Sequence, residues 1–104
     1  MDEIAPLKLI LTWDITPEHE QDYFEFVIRE YIPGIQRMGC ELSDAWATVF
    51  GVKPQITVGL VLPNAKKTRQ LLLSEEWSAL TNRLQDYIQN YALKVVVAKN
   101  SFQI

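Results

Sequence analysis

The chain has 104 residues, which is the size of a single domain and leaves little room for a second one. Its formal net charge is -3 and it has no stripe of clustered Lys and Arg, so we expect no binding to nucleic acid or to an anionic membrane surface. A single cysteine, Cys40, excludes an internal disulfide and a cysteine-based zinc cluster.

The N-terminal residues and the overall hydropathy pattern bear on location. The start is acidic and then alternates, whereas a signal peptide has a basic start and a continuous apolar run. No segment approaches the roughly 20 apolar residues that a membrane-spanning helix needs. We therefore expect one domain over residues 1–104, in the cytoplasm, without a membrane span.

The first half of the chain predicts a strand and then a helix. Apolar residues alternate over residues 7–13, which is typical of a strand. Thr16 followed by Pro17 is a typical helix start. Pro33-Gly34 is expected to kink or break this helix, and Gly39 to end it. The apolar residues at helical spacing are Phe24, Val27, Ile28, Tyr31 and Ile35.

The second half predicts a hairpin, a two-part helical region and a last strand. We expect strands over residues 41–52 and 55–62, joined by a turn over residues 51–54. Asn64 and Ser74 are predicted N-caps of a short and a longer helix. The last strand is expected over residues 93–98. The predicted apolar face of the longer helix consists of Trp77, Leu80, Leu84, Tyr87, Ile88 and Tyr91.

The order β-α-β-β-α-β is that of an α+β, ferredoxin-like sandwich. In this motif both helices cover one sheet face, and the opposite face is exposed in a monomer. The residues expected there are small and largely apolar, with charge only near strand starts, at Lys8 and Lys94, which favours an interface over a solvated surface. The apolar and small residues are Ile10, Thr12, Thr57, Gly59, Val61, Val96 and Ala98. We therefore expect a homodimer that pairs through this open sheet face; the alternative is a monomer with a mildly apolar face.

Two stretches of the sequence resemble a known family. EYIPGIQRMGCELSDAWATVFG resembles the NIPSNAP-type helix that ends in Pro and Gly, followed by a strand that carries an aromatic residue and closes at Gly. SEEWSALTNRLQDYIQNY is similar to the helix of that family that opens with an acidic residue before Trp. The resemblance implies a dimeric α+β barrel over about residues 7–98. Relatives in this superfamily include cofactor-free monooxygenases, isomerases, haem-degrading enzymes, peroxidases and ligand-sensing modules, so the fold does not select a function.

Few residues suggest acid–base, nucleophilic or metal chemistry. His19 is the only histidine and lies between two glutamates in a helix start, where a surface position is the favoured interpretation. The resemblance implies a haem-ligating histidine in the second helical region, and residues 64–91 contain none. We expect no metal and no cofactor. Cys40 is interpreted as an inert apolar residue, and Asp14 as an acidic residue of the turn between the first strand and the helix.

Asp44 and the aromatic residues are the candidate site. Asp44 lies two residues before Trp46 on the same strand face, where it is either a buried acid in a pocket or, the favoured interpretation, a solvated charge on an edge strand. Large aromatic rings usually build the core, but some are expected to line a ligand cavity between sheet and helices. The candidate ligand-binding residues are Trp13, Tyr31, Asp44, Trp46 and Trp77.

Three functions follow as hypotheses. The leading one is a homodimeric module that binds a small, mostly apolar molecule. The second is a cofactor-free monooxygenase-like or isomerase-like enzyme in which Asp44 or His19 moves a proton. The third is a structural or interaction protein with a filled core. Whether the chain is an enzyme stays open at this point, because a cavity and the groups that face it decide between the three.

Overall fold

The computed structural model describes residues 5–47 and 53–98. Four strands form one antiparallel sheet in the order β2-β3-β1-β4, and the helices follow the predicted β-α-β-β-α-β order, which confirms the α+β ferredoxin-like fold. The strands are β1 (Leu7–Ile15), β2 (Glu41–Ala47), β3 (Ile56–Leu62) and β4 (Ile88–Val97). The helices are α1 (Glu20–Phe26), a π-helical segment (Val27–Tyr31), α2 (Ile32–Arg37), α3 (Ala65–Leu72) and α4 (Glu75–Leu84).

The two faces of the sheet have the predicted composition. On the helix side, Leu9 lies opposite Leu60 and Leu11 opposite Val58, and all four side chains are buried. On the other, open side, Ile10 lies opposite Gly59, and the Ile10 side chain is only partly buried. Burial of such leucine side chains contributes about 1.5–3 kcal/mol each, so the helix-side rows hold the helices on the sheet.

The predicted caps of the second helical region are confirmed. The Asn64 side chain accepts a hydrogen bond from the Lys67 amide at 2.8 Å, and the Ser74 hydroxyl accepts one from the Trp77 amide at 3.1 Å. The predicted end of the longer helix was wrong. The helix stops at Leu84, and residues from Ile88 onward belong to β4.

The start of the first helix also differs from the prediction. Helix α1 begins at Glu20, because Pro17 and Glu18 form a turn in which Glu18 has φ 72°. The Thr16 amide donates to the Tyr87 carbonyl at 2.9 Å, so Thr16 ties the end of β1 to the loop before β4 instead of capping the helix. The predicted end is confirmed, since Gly39 takes φ 93° directly after the last turn.

The helical run is not broken at Pro33. Its irregularity lies in the π-helical segment, where the Ile32 amide donates to the carbonyl of Val27, five residues earlier. A proline ring clashes with the carbonyl four residues before it in a regular α-helix, and a wider turn just ahead of the proline relieves that clash. The helix therefore continues through Pro33 and ends at Arg37.

The wider turn changes which side chains face the core. Tyr23, Phe26, Tyr31 and Ile35 are buried, with a five-residue step from Phe26 to Tyr31 across the π-helical segment. The regular spacing used in the prediction had placed Phe24 and Ile28 on the core face, and this was wrong, because both are exposed. Two predicted features of the first hairpin, the strand residues Val49 and Phe50 and the first half of its turn, lie outside the described residues.

Asp14 joins three strands at one end of the sheet. Its buried carboxylate accepts hydrogen bonds from the Gln55 amide at 2.9 Å and the Asn90 side-chain amide at 2.8 Å, with Lys53 Nζ 3.7 Å away. Asn90 has φ 60° beside an irregularity in the β1–β4 register, so the carboxylate stabilises that bulge. The hydrogen bond from Asn90 lowers the pKa of Asp14, against the opposing effect of burial.

Replacing Asp14 by Asn tests this junction. The amide cannot accept hydrogen bonds at both of its ends, so Asp14→Asn is expected to lose about 1–3 kcal/mol of unfolding free energy at pH 7. Because the pKa in the folded state lies below the unfolded value of about 3.9, the carboxylate stabilises the fold above that pH and the contribution is lost as the pH falls through the folded pKa.

Urea unfolding at pH 7 and at acidic pH measures both effects. The difference between wild type and Asp14→Asn should shrink on acidification. Asp86→Asn, at an exposed position, is the matched control and should change little at either pH. Two results would contradict the proposed role of the carboxylate: a loss of unfolding free energy in Asp14→Asn that stays constant down to the lowest pH, or an equal loss in Asp86→Asn.

Candidate functional site

Trp13 is the centre of an aromatic cluster on the helix side of the sheet. It occupies the last core position of β1, and its ring is buried. The indole Nε1 donates a hydrogen bond to the Tyr23 hydroxyl oxygen at 2.8 Å. Tyr31 meets the indole edge-on with ring centroids 5.9 Å apart, and Tyr91 stacks on it at 6.3 Å. These contacts fix the indole plane between the first helical run and the sheet.

A cavity of about 370 Å³ lies beside this cluster, between α1 with its π-helical segment and the strands β2 and β3. Its size falls in the usual range for small-molecule sites. We call it the aromatic cavity. It is lined by Trp13, Tyr23, Phe24, Val27, Ile28, Tyr31, Ile32, Leu42, Ala45, Trp46, Ile56 and Val58.

Tyr31, one of the lining residues, has an unusual polar group, because its hydroxyl is buried away from the accessible wall. Tyr31 is 1% exposed, and its hydroxyl has no hydrogen-bond partner among the residues that the structure describes. A buried polar group without a partner costs about 1–3 kcal/mol, and native proteins rarely retain one. Burial raises the pKa of Tyr31, reinforced by the neighbouring Tyr91, Cys40 and Tyr23, so the phenol stays protonated and able to donate at neutral pH.

The mouth of the aromatic cavity is apolar as well. Three large hydrophobic side chains that line it are exposed, and the relative accessible areas of these residues are 47% for Phe24, 70% for Ile28 and 54% for Trp46. Phe24 and Ile28 come from the helical wall, and Trp46 from the edge strand β2. Neighbouring exposed apolar side chains of this size mark a binding surface more often than a solvated one.

Three of the five candidate residues meet at this cavity. Trp13, Tyr31 and Trp46 all line it, although they come from β1, the π-helical segment and β2. Trp77 is buried in the core on α4 and is not among the lining residues. Asp44 is not among them either.

Asp44 instead belongs to the open sheet face. Its carboxylate lies 3.1 Å from Lys8 Nζ, and both side chains are partly exposed. The pair crosses β3 above Gly59, where an added Cβ would come within 2.7 Å of the Lys8 side chain and closer still to Asp44. Gly59 thus provides the space in which a charge pair spans the sheet. This arrangement agrees with the interpretation of Asp44 as an edge-strand charge.

Sequence reasoning missed several residues of the cavity wall. Tyr23 was named as an aromatic residue but not as part of the site; its signal was the indole of Trp13, since a buried Trp N–H needs an acceptor. Leu42 and Ala45 face the cavity because an irregularity in the β2–β3 register falls between Leu42 and Asp44. A bulge of this kind reverses the alternation of the strand, and nothing in the sequence marks it.

The remaining candidate groups lie elsewhere or are unreactive. His19 is exposed at the start of α1 and makes no side-chain capping hydrogen bond. Cys40 is buried, and burial raises the pKa of its thiol to about 11, so the thiolate is scarce at neutral pH. Over residues 5–47 and 53–98, no three His, Cys, Asp or Glu side chains lie close enough together to hold a metal ion. None of the helices in these ranges is long and apolar enough to cross a membrane.

Comparison with known proteins establishes the fold. No protein-family model matches the sequence, and no curated protein does. A NIPSNAP domain protein from Burkholderia xenovorans superimposes with a TM-score of 0.68 at 17% identity, covering 94% of this chain and 98% of that chain. A NIPSNAP family protein from Agrobacterium tumefaciens does so with a TM-score of 0.68 at 18% identity, covering 97% and 96%.

A third solved structure widens the comparison. It is a dimeric protein of unknown function and ferredoxin-like fold from Bacteroides fragilis, with a TM-score of 0.64 at 11% identity, covering 88% of this chain and 95% of that chain. At such identities the likeness concerns the fold alone. The chain therefore has the fold of NIPSNAP domain proteins, which confirms the NIPSNAP-like resemblance predicted from the sequence.

Two tyrosine variants test the hydrogen bonding around Trp13. Tyr23→Phe removes the acceptor of the buried indole N–H and should cost about 1–3 kcal/mol of unfolding free energy. Tyr31→Phe removes a hydroxyl that has no described partner, so it should leave stability unchanged or raise it. Urea denaturation of both variants beside wild type measures the contrast. A destabilised Tyr31→Phe protein would mean that its hydroxyl has a partner within the fold.

Proposed function

We propose that the protein is a small-molecule-binding module that holds a mostly apolar molecule in the aromatic cavity of each subunit of a homodimer. The observation that carries this proposal is the aromatic cavity itself, which has a volume of about 370 Å³, an apolar wall, and Phe24, Ile28 and Trp46 exposed at its mouth. The aromatic and aliphatic wall supplies the apolar contact area typical of ligand sites.

The composition of the cavity favours binding over catalysis. Its lining contains no carboxylate and no histidine, and neither Asp44 nor His19 belongs to it. A proton-transfer mechanism requires a base within hydrogen-bond reach of the substrate, and the raised pKa of Tyr31 makes that phenol a poor base at neutral pH. The aromatic cavity also argues against the third hypothesis, a structural protein whose core is fully packed.

The dimer follows from the open sheet face. This face carries the side chains of Ile10, Thr12 and Val61, which are only partly buried in one chain and need a cover. Lys8 and Asp44 neutralise each other on it, and the other two charged residues of this face, Glu41 and Lys94, lie on the edge strands β2 and β4, so the centre of the face carries no unpaired charge. The dimeric ferredoxin-like protein from Bacteroides fragilis supports two-fold pairing for a chain of this fold.

Filling the cavity tests the binding proposal. Ala45 lines the cavity on β2, and Ala45→Leu places extra side-chain atoms in the space that a ligand needs. The affinity for naphthalene, an apolar probe, should fall by roughly tenfold or more, a loss of about 1.4 kcal/mol of binding free energy. The indole N–H resonances of Trp13 and Trp46 in an NMR titration report the binding directly.

Ala79→Leu is the matched control for that titration. Ala79 is exposed on α4 and outside the aromatic cavity, so the same substitution adds apolar surface without blocking the site. Its naphthalene affinity should equal that of wild type. If wild type does not bind naphthalene, or if both variants bind it as wild type does, the aromatic cavity is not the ligand site.

Charging the open face tests the dimer. Thr12 lies between Thr57 and Ala92 in the register, with no charged neighbour directly opposite. Thr12→Lys would bury an unpaired ammonium between two sheets, so the dimer should dissociate at least about tenfold more readily. Sedimentation velocity distinguishes a species of twice 12.0 kDa from the monomer. Gln70→Lys, exposed on α3, should leave the dimer intact; equal dimer stability in the two variants would refute this interface.

A further inference from the structure

We infer that the ligand is an amphiphile with a single polar end, which inserts its hydrocarbon part into the aromatic cavity and leaves the polar end outside the mouth. This inference rests on the proposed function and narrows it to a chemical class and an orientation. It depends on two surfaces that meet at Phe24 and Ile28: the wall of the aromatic cavity and a groove on the outer side of the first helical run.

The interior of the aromatic cavity offers no partner to a polar group of a ligand. No Lys, Arg, His, Asp or Glu is among its lining residues, and its accessible wall is almost wholly apolar. The Tyr31 hydroxyl is buried away from that wall. A hydroxyl, amide or charged group that entered this space would lose its hydration without gaining a hydrogen bond, which opposes binding. The inserted part of the ligand is therefore hydrocarbon.

Polar side chains lie just beyond the mouth. Phe24 and Ile28 also line a groove of about 320 Å³, together with Gln21, Glu25 and Arg29. All five residues are exposed. The accessible floor of the groove is apolar, because the three polar side chains contribute their aliphatic stems to it. The ends of these side chains include hydrogen-bond donors, acceptors and one charge of each sign, so they select neither an anionic nor a cationic group.

These two surfaces determine the orientation. At the inner end of the aromatic cavity Ile56 and Val58 are buried on β3, whereas Ile28 at the mouth is 70% exposed. A hydrocarbon part that reaches from the mouth towards β3 removes apolar area of the protein and of the ligand from water, which drives association. A polar end at the mouth keeps its hydration and lies near side chains that form hydrogen bonds. The reverse orientation buries the polar end without a partner.

Two isomeric alcohols test whether the position of the polar group decides binding. In 1-octanol the hydroxyl is terminal and leaves the whole chain free to enter, whereas 4-octanol must either bury its hydroxyl or insert only half of its chain. Each is titrated into the protein, and the indole N–H resonances of Trp13 and Trp46 are followed by NMR. Because a buried hydroxyl without a partner opposes binding, 1-octanol should bind at least about fivefold more tightly than 4-octanol.

Nuclear Overhauser contacts between bound 1-octanol and the protein measure the orientation directly. The terminal methyl group should contact the side chains of Ile56 and Val58, and the methylene that carries the hydroxyl should contact Ile28. Ala45→Leu should weaken the binding of 1-octanol, and the control Ala79→Leu should leave it unchanged, which assigns the contacts to the aromatic cavity.

The failure of this inference can be distinguished from that of the proposed function. If the two isomers bind equally, if 4-octanol binds more tightly, or if the hydroxyl-bearing methylene contacts Val58, the orientation is wrong while the cavity remains a binding site. The same holds if naphthalene binds and neither alcohol does. If neither the alcohols nor naphthalene bind, the proposed function fails, and this inference fails with it.

Discussion

The π-helical turn at Val27–Tyr31 determines how the first helical run meets the sheet. Pro33 follows it by two residues, and the wider turn lets the run continue past the proline with one additional residue between core positions. That extra residue brings Tyr31 onto the buried face, against Trp13. It also leaves Phe24 and Ile28 facing outward above the edge strand. The aromatic cavity is the space between these two sets of side chains and β2.

Trp13 connects this turn to the rest of the fold. Its indole extends from the central strand β1. Tyr91 stacks on the indole, Tyr31 makes an edge-to-face contact with it, and the indole N–H donates a hydrogen bond to the Tyr23 hydroxyl oxygen. One residue later, Asp14 fastens β1 to the starts of β3 and β4. The end of β1 is therefore held by contacts on two sides. A ligand site gains affinity when its wall is ordered before binding, because less entropy is lost on association.

Much of this fold was readable from local patterns. The alternation of Leu9 and Leu11 gave the central strand and its buried face, and the polar caps Asn64 and Ser74 gave the starts of two helices. These features depend on neighbours within a few residues of each other. The NIPSNAP-like fold could be predicted because the element order and these faces together leave few arrangements.

The errors occurred where two patterns overlap or a backbone irregularity intervenes. Leu84, Ile88 and Tyr91 have helical spacing, yet the chain turns after Leu84 and the later two lie in a strand. The π-helical turn changed the core face of the first helix, and the bulge beside Asp44 changed the wall contributed by β2. Of the candidate site residues, Trp13, Tyr31 and Trp46 all line the aromatic cavity, whereas Trp77 lies in the core. The sequence could not distinguish the two positions, because a large apolar ring suits a core and a cavity wall equally well.

The proposed function requires the space beside Trp13 and Tyr31 to be a cavity that a ligand can enter and not a packed core. A crystal structure determined under xenon pressure tests it most directly, because xenon occupies apolar cavities without needing a specific polar contact. We expect a xenon site enclosed by Trp13, Tyr31 and Trp46, with these side chains unmoved. A structure in which the side chains fill this space and no xenon enters would contradict it.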